Sequence, residues 1–294
     1  MSEFLQFMVN GISVGSMYAL IALGYTMVYG IIQLINFAHG EFMMMGAFMG
    51  ALVLEHFTHT PMVVALLIAM MAAALLAVFT ELVAYRPLRD RPRIYVLTAA
   101  IAVSVLLQNI GRVVFGSASQ SFPRQFPAGS FEVPGLEVFI DYSQIIILGV
   151  SVLLMALLWL IVNKTKVGTA MRATSQDIEA AQLMGVNVNF VISFTFFIGA
   201  GLAGAVGVFY GMQYSIDPLM GVQPGLAAFV AAVLGGIGSV PGAMIGGLLI
   251  GITENLVAGY LSSTYQGAIT FLILIVVLAV RPTGLFGNMS TVKV

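Results

Sequence analysis

Three places in this sequence put ionisable side chains among apolar neighbours, and each is a candidate for chemistry. Asn36, His39 and Glu41 lie within one short segment, Glu81 ends an aliphatic run, and Glu254 and Asn255 sit inside another. A charge in a nonpolar medium is costly unless paired or hydrated, so such residues mark a polar pathway or a structural hydrogen bond. Asn36, His39 and Glu41 are read as a gate or pathway. The alternative is that Asn36 and His39 cap a helix while Glu41 complements its N-terminal dipole. Glu254 and Asn255 read as part of a pathway or as structural hydrogen-bonding groups. Glu81, one turn before Tyr85 and Arg86, reads as a local ion pair, and Asp217 before Pro218 as a turn.

Other chemistries are excluded or unsupported. With no cysteine, the chain has no thiolate nucleophile, disulfide or Cys-ligated metal. No Gly-x4-Gly-Lys-Ser/Thr loop occurs, so ATP is not bound in the P-loop manner and no cofactor is expected on this chain. The eighteen methionines, Met43, Met44 and Met45 among them, suit irregular helix packing.

The elements that must hold these residues are set by composition. The 294 residues are 60% hydrophobic and 8% charged, with a mean hydropathy of +1.04; soluble domains carry about 25% charged residues. Apolar stretches of roughly 17 to 28 residues follow one another almost directly, the length a bilayer demands. Lipid leaves backbone groups no outside partner, so these are helices or barrel strands, and their length and lack of alternation exclude the barrel. The fold class is therefore all-α: a polytopic membrane protein of about 8–10 helices, forming one transmembrane domain over 1–294. The spans fall near 5–32, 36–56, 61–84, 94–115, 144–163, 190–212, 222–238, 241–259 and 264–280. Residues 1–10 hold no Lys or Arg and no small-residue cleavage site follows, so the first span is expected to stay as a helix. Runs of small residues at 199–207 and 242–251 permit close helix packing. Segments 36–42 and 235–242 look broken, each leading through glycine into the next helix.

Basic residues orient the chain, because cationic loops stay cytoplasmic. Arg86, Arg89, Arg91 and Arg93 share one loop, Lys164, Lys166 and Arg172 another, and Arg281 and Lys293 the tail; only Arg112 and Arg124 of the eleven fall elsewhere. An even number of spans separates these regions, so all three fit the cytoplasm, with the N-terminus outside. Segment 116–143, with Pro123, Pro127, Pro134, Glu132, Glu137 and Asp141, becomes an external loop, and 164–189 a cytoplasmic one. In the latter, Thr174 or Ser175 can cap a short helix, Asp177 and Glu179 lie in its first turn, Ala180, Ala181, Leu183 and Met184 form an apolar face, and Gly185 closes it. Such an exposed helix suits docking to a partner. We take Arg172, Asp177, Glu179, Ala180, Ala181 and Gly185 as its contact residues.

Glu179-Ala-Ala-Gln-Leu-Met-Gly185 matches the Glu-Ala-Ala-x3-Gly core of the coupling loop in ABC importer permeases, without that motif's Leu-Pro ending. Gly24 to Ile32 with Ile35 to Glu41, Val233 to Gly247, and Arg281-Pro-Thr-Gly-Leu-Phe286 closely resemble branched-chain amino acid ABC transporter permeases of the LivH type, over essentially the whole chain. The resemblance implies an ABC importer permease fold in the bacterial inner membrane. It also implies a heterodimer with a second, related permease subunit, two cytoplasmic ATPase subunits that use the ATP, and a periplasmic substrate-binding protein; nucleic acid has no role. The substrate would be a branched-chain amino acid, or within the same class urea or a short amide. Two other classes stay open on the residues themselves: an ion-coupled secondary transporter acting alone, with Glu41, Glu81 and Glu254 as its ion sites, and a passive pore or scaffold.

Overall fold

The computed structural model describes residues 2–57, 59–123, 129–135 and 137–287; Arg124, Pro127 and Lys293 lie outside them. Each predicted apolar run is a helix. They are α1 (Ser2–Ile32), α2 (His39–His56), α3 (Met62–Thr80), α4 (Arg93–Phe115), α5 (Tyr142–Lys164), α6 (Lys166–Gln176), α7 (Ile178–Leu183), α8 (Val188–Gln213), α9 (Val222–Gly235), α10 (Val240–Tyr260) and α11 (Gln266–Val280). The third span widens into a π turn at Glu81–Tyr85 and ends in a 3-10 turn at Arg86–Leu88.

Among the described residues seven helices are long and apolar enough to cross a bilayer. The other two spans are different in kind. α2 is 18 residues long and carries His39, Glu41, Glu55 and His56. α9 has 14 residues, which at about 1.5 Å each is roughly 21 Å, short of a hydrocarbon layer of about 30 Å. Its C-terminal end turns tightly into α10 through Gly236, whose φ of 101° lies in the left-handed region, so its other end falls part-way through the bundle.

In lipid no hydrophobic effect pulls helices together, and close backbone packing does the work instead. α1 is the central helix, buried from Ser13 through Val28. Against it lies α10, where a Cβ on Gly251 would come 2.3 Å from the Gly15 Cα and one on Gly247 2.4 Å from the Ala19 Cα. α8 meets α2 the same way: a Cβ on Gly207 would lie 2.0 Å from the Met43 carbonyl oxygen. α4, α5 and α11 sit outside this core and expose aliphatic side chains such as Val113, Leu153 and Ile275, as lipid-facing helices do.

One end of the bundle gathers the N-terminus and the loop around 116–143. That loop folds as an antiparallel hairpin, β1 (Ser130–Val133) on β2 (Val138–Asp141), and Gln6 holds it by accepting from the Phe139 N–H at 2.8 Å and donating to the Phe139 carbonyl at 2.9 Å. Gln120 bridges to Ile216, and Asp217 makes the expected turn by accepting from the Leu219 N–H at 2.8 Å. The opposite end gathers the basic loops: Arg93 donates to Gln33 at 2.8 Å, and the Leu285 N–H to the Leu234 carbonyl at 2.8 Å.

The contact between α1 and α10 yields a test. Gly251→Leu should destabilise the protein by about 1–3 kcal/mol or more, because the backbones must part. Gly149→Leu on α5, where a Cβ meets nothing within 4 Å, should leave it unchanged. Thermal unfolding of the detergent-solubilised protein compares the two.

Candidate functional site

The segment joining α1 to α2 is short and polar, and it brings the predicted pathway residues into the core. Gln33 turns the chain out of α1 with a φ of 55°, and His39 opens α2. Asn36 does not cap α2 through N2 or N3. Its Oδ1 accepts the Ala38 N–H at 3.1 Å and the Tyr85 hydroxyl at 2.8 Å, which ties the turn to the end of the third span. His39 does not cap the helix either: Ala38 holds that position without a side-chain bond. The ring is buried against α1, where a Cβ on Gly24 would lie 2.3 Å from Nε2, and it packs 4.8 Å from the Tyr25 ring. Asn36 Nδ2, His39 Nε2 and Glu41 Oε2 are each buried without a hydrogen-bond partner among the described residues.

Glu41 is 2% exposed. Its Oε1 accepts from Ser104 at 3.0 Å and from Gln108 at 2.8 Å, both on α4. Sequence reading missed this pair. Its signal was two polar residues four apart on an otherwise aliphatic helix, a spacing that places them on one face. Beside Glu41 lies a cavity of about 230 Å³ bounded by Tyr25, Phe37, Gly221, Val222, Gly225 and Leu226 among others. Gly221, which lines it, meets Gly40 backbone to backbone, a Cβ on either coming 2.2 Å from the other's carbonyl oxygen.

The remaining acids are held in closed clusters. Glu81, 0% exposed, accepts from Arg86 Nε and Nη2 at 3.1 Å each, from Arg89 Nη2 at 2.8 Å and from the Ser193 hydroxyl at 2.7 Å. Arg89 also donates to Asn189 at 2.8 Å, so the cluster staples the third span to α8. Burial lowers the Arg89 guanidinium below its ordinary value, and the Glu81 charge opposes that shift. Glu254 accepts from the Tyr18 hydroxyl at 2.8 Å and from the Thr270 hydroxyl, joining α1, α10 and α11. Asn255 donates to the Gly251 carbonyl of its own helix at 2.9 Å. The structure does not bring Glu254 and Asn255 together with Asn36, His39 and Glu41. Tyr18 is far from Glu254 in sequence, and no local pattern announces their pairing.

The loop at 164–189 is two helices rather than one. Thr174 and Ser175 turn their hydroxyls back to the Ala170 and Arg172 carbonyls and so continue α6. The cap of α7 is instead Asp177, which accepts the Ala180 N–H at 2.9 Å. Gly185, with a φ of 82°, ends α7 as predicted: its N–H donates to Gln182 and that of Val186 to Ala181, a Schellman closure. Ala181 faces inward, whereas Leu183 and Met184 are 88% and 83% exposed. Glu179 and Ala180 are exposed too. Arg172 is occupied inside the chain, where it donates to the Val162 carbonyl at the end of α5.

A half-buried helix break beside a largely apolar cavity that one acid lines, on a many-helix bundle with an exposed helix pair at its basic end, is an arrangement suited to moving solutes. Comparison with known proteins agrees. Residues 7–278 match the family model described as branched-chain amino acid transport system / permease component. The chain belongs to this family. Among curated members of the branched-chain permease family, it is 43% identical to the high-affinity branched-chain amino acid transport system permease protein BraD of Pseudomonas aeruginosa, over 99% of this chain and 98% of that one. It is equally similar, with the same coverage, to the permease protein LivH of Escherichia coli. A solved ABC transporter described as of metal-chelate type, in an inward-facing conformation, shares the fold with a TM-score of 0.50 at 16% identity, over 92% of this chain and 85% of that one. The protein is thus a multi-pass membrane permease of the branched-chain transport-system family, with a fold shared by an ABC transporter.

Removing the acid from the Glu81 cluster should be severe. Glu81→Ala leaves two partly buried guanidinium groups without their counter-charge, which costs about 3 kcal/mol or more when the pair is buried. Thermal unfolding in detergent should show the loss, and Glu81→Gln should lie between.

Proposed function

We propose that this chain is the transmembrane permease subunit of a binding-protein-dependent ABC importer in a bacterial inner membrane, carrying branched-chain amino acids inward. The single observation that carries this reading is the 43% identity along virtually the whole chain to permeases so named. The basic loops at 86–93 and 164–172 and Arg281 lie toward the cytoplasm by the excess of cations there, which leaves the N-terminus and the hairpin at 130–141 outside.

In this reading the chain pairs with a second, related permease, a periplasmic binding protein delivers the substrate, and two cytoplasmic ATPases supply the energy. ATP is bound by those partners and by no group of this chain. Glu179, Ala180, Leu183 and Met184 form the surface offered to an ATPase. Asp177 and Gly185 hold that surface by closing α7 at its two ends, Ala181 seats it, and Arg172 fixes α6 to α5. ATP-driven closure of the ATPases moves α7, and the attached spans turn the cavity from one side of the membrane to the other. Two of the three acids named for an ion-coupled carrier do not favour it: Glu81 is matched by two arginines, and Glu254 by two hydroxyls. The branched-chain amino acid transport for which the relatives are named favours that substrate class over urea or amides.

Reconstitution tests this directly. Leucine uptake into proteoliposomes should require ATP, the ATPases and the binding protein; uptake by this chain alone under an imposed proton gradient would overturn the assignment. Leu183→Asp combined with Met184→Asp should lower ATP-driven uptake about tenfold or more without shifting the unfolding temperature, since both side chains are exposed and deprived only of a partner.

A further inference from the structure

Among the described residues, Glu41 is the buried acid that combines an unpartnered oxygen with a cavity. Oε1 is fixed by Ser104 and Gln108, which leaves Oε2 buried and without a partner among the described residues. A carboxylate so oriented is an acceptor aimed at something cationic. The same cavity is lined by the start of α9, at Gly221, Val222 and Gly225. That helix has no capping side chain; Val222 donates to the Leu219 carbonyl and Pro224 has no N–H, so the N–H of Gln223 is the first-turn donor left without an acceptor among the described residues, at the positive end of the helix dipole. The meeting of Gly40 with Gly221 brings the uncapped start of α2 to the same place. α9 is too short to cross the bilayer, so this start lies inside the membrane. The rest of the lining is aliphatic or aromatic: Ile101, Val105, Leu226, Phe37 and Tyr25. At about 230 Å³ the cavity is smaller than the usual drug-sized pocket of about 300–1,000 Å³, a size for a small solute.

A negative group, a positive helix end and an apolar wall are the three features that a free aliphatic amino acid would seek. We propose that this cavity is a transient recognition site for the zwitterion. The Glu41 carboxylate takes the α-ammonium group through Oε2, the N-terminus of α9 takes the α-carboxylate, and Ile101, Val105 and Leu226 face the side chain. Ser104 and Gln108 are positioning residues that hold Oε1 and so aim Oε2. The assignment rests on the amino-acid permease reading and adds to it a place where the cargo is recognised by its backbone charges while crossing.

The chain has no cysteine, so Val105→Cys, on the aliphatic wall, gives it a single thiol. The test uses membrane vesicles holding the whole transporter without the binding protein. The rate of N-ethylmaleimide modification of this chain is followed with L-leucine, with 4-methylpentanoate, which lacks the ammonium group, and with isopentylamine, which lacks the carboxylate. Leucine should slow modification, and each one-charge analogue should need about tenfold more for the same protection, the loss expected for one charge-assisted contact. Adding Glu41→Gln to the reporter should raise the leucine requirement by a similar factor. The proposal is overturned if leucine does not protect, if 4-methylpentanoate protects as well as leucine, or if Glu41→Gln leaves protection unchanged. Should that variant fail to assemble, the comparison of the three ligands on the reporter with Glu41 intact decides alone. ATP-driven leucine uptake by vesicles holding the chain with Val105 unchanged, with binding protein restored, separates the two levels: intact uptake without protection of the reporter removes this site only, whereas absent uptake removes the importer reading.

Discussion

The structure depends on helices that touch through their backbones. Apolar side chains gain nothing by leaving lipid for protein, so cohesion has to come from contact area and from internal hydrogen bonds. Glycine supplies the contact: Gly15 with Gly251, Gly46 with Gly204 and Gly40 with Gly221 each bring two main chains closer than any side chain would permit. Those contacts hold α1, α2, α8, α9 and α10 as a buried core and leave α4, α5 and α11 on its rim. Polar side chains follow the same economy of place. Glu81 gathers Arg86, Arg89 and Ser193, and Glu254 gathers Tyr18 and Thr270, so each ties distant parts of the chain instead of opening them to solute.

Much of this was legible in the residues. Nine apolar runs read as nine helices because length and hydropathy in a bilayer leave the backbone no alternative, and Gly185 was recognisable as a helix end because only a left-handed residue closes that turn. The break at Asn36 to Glu41 was legible as a break, since polar groups and glycine interrupt an otherwise aliphatic run. Its internal bonds were not. Asn36 serves Tyr85 at the end of the third span, and His39 packs against the tilted ring of Tyr25, pairings that depend on how helices cross. Thr174 and Ser175 were credible caps by type, yet a hydroxyl that can turn back onto its own helix continues that helix, and the acid at Asp177 took the position.

The candidate site shows the same limit more sharply. Glu41 stands out in any reading as an acid inside a span, but its partners Ser104 and Gln108 lie on α4, which reads simply as a membrane helix. The cavity needs α9 as well, and its role comes from being too short, a property visible only once its turn into α10 shows where it begins. Composition reveals which residues are unusual; their meaning comes from which helix ends they meet.

The connection from α7 to α8 contains few residues. The Schellman closure at Gly185 is followed at once by Asn187, whose side chain caps α8 by accepting the Phe190 N–H at 3.1 Å. There is no slack in such a joint. In the importer reading, a push on the exposed Leu183 and Met184 would pass into α8, whose glycines rest on α2 a few residues beyond Glu41. One helix, with no relay of side chains, would then carry motion from the small exposed helix toward the buried carboxylate.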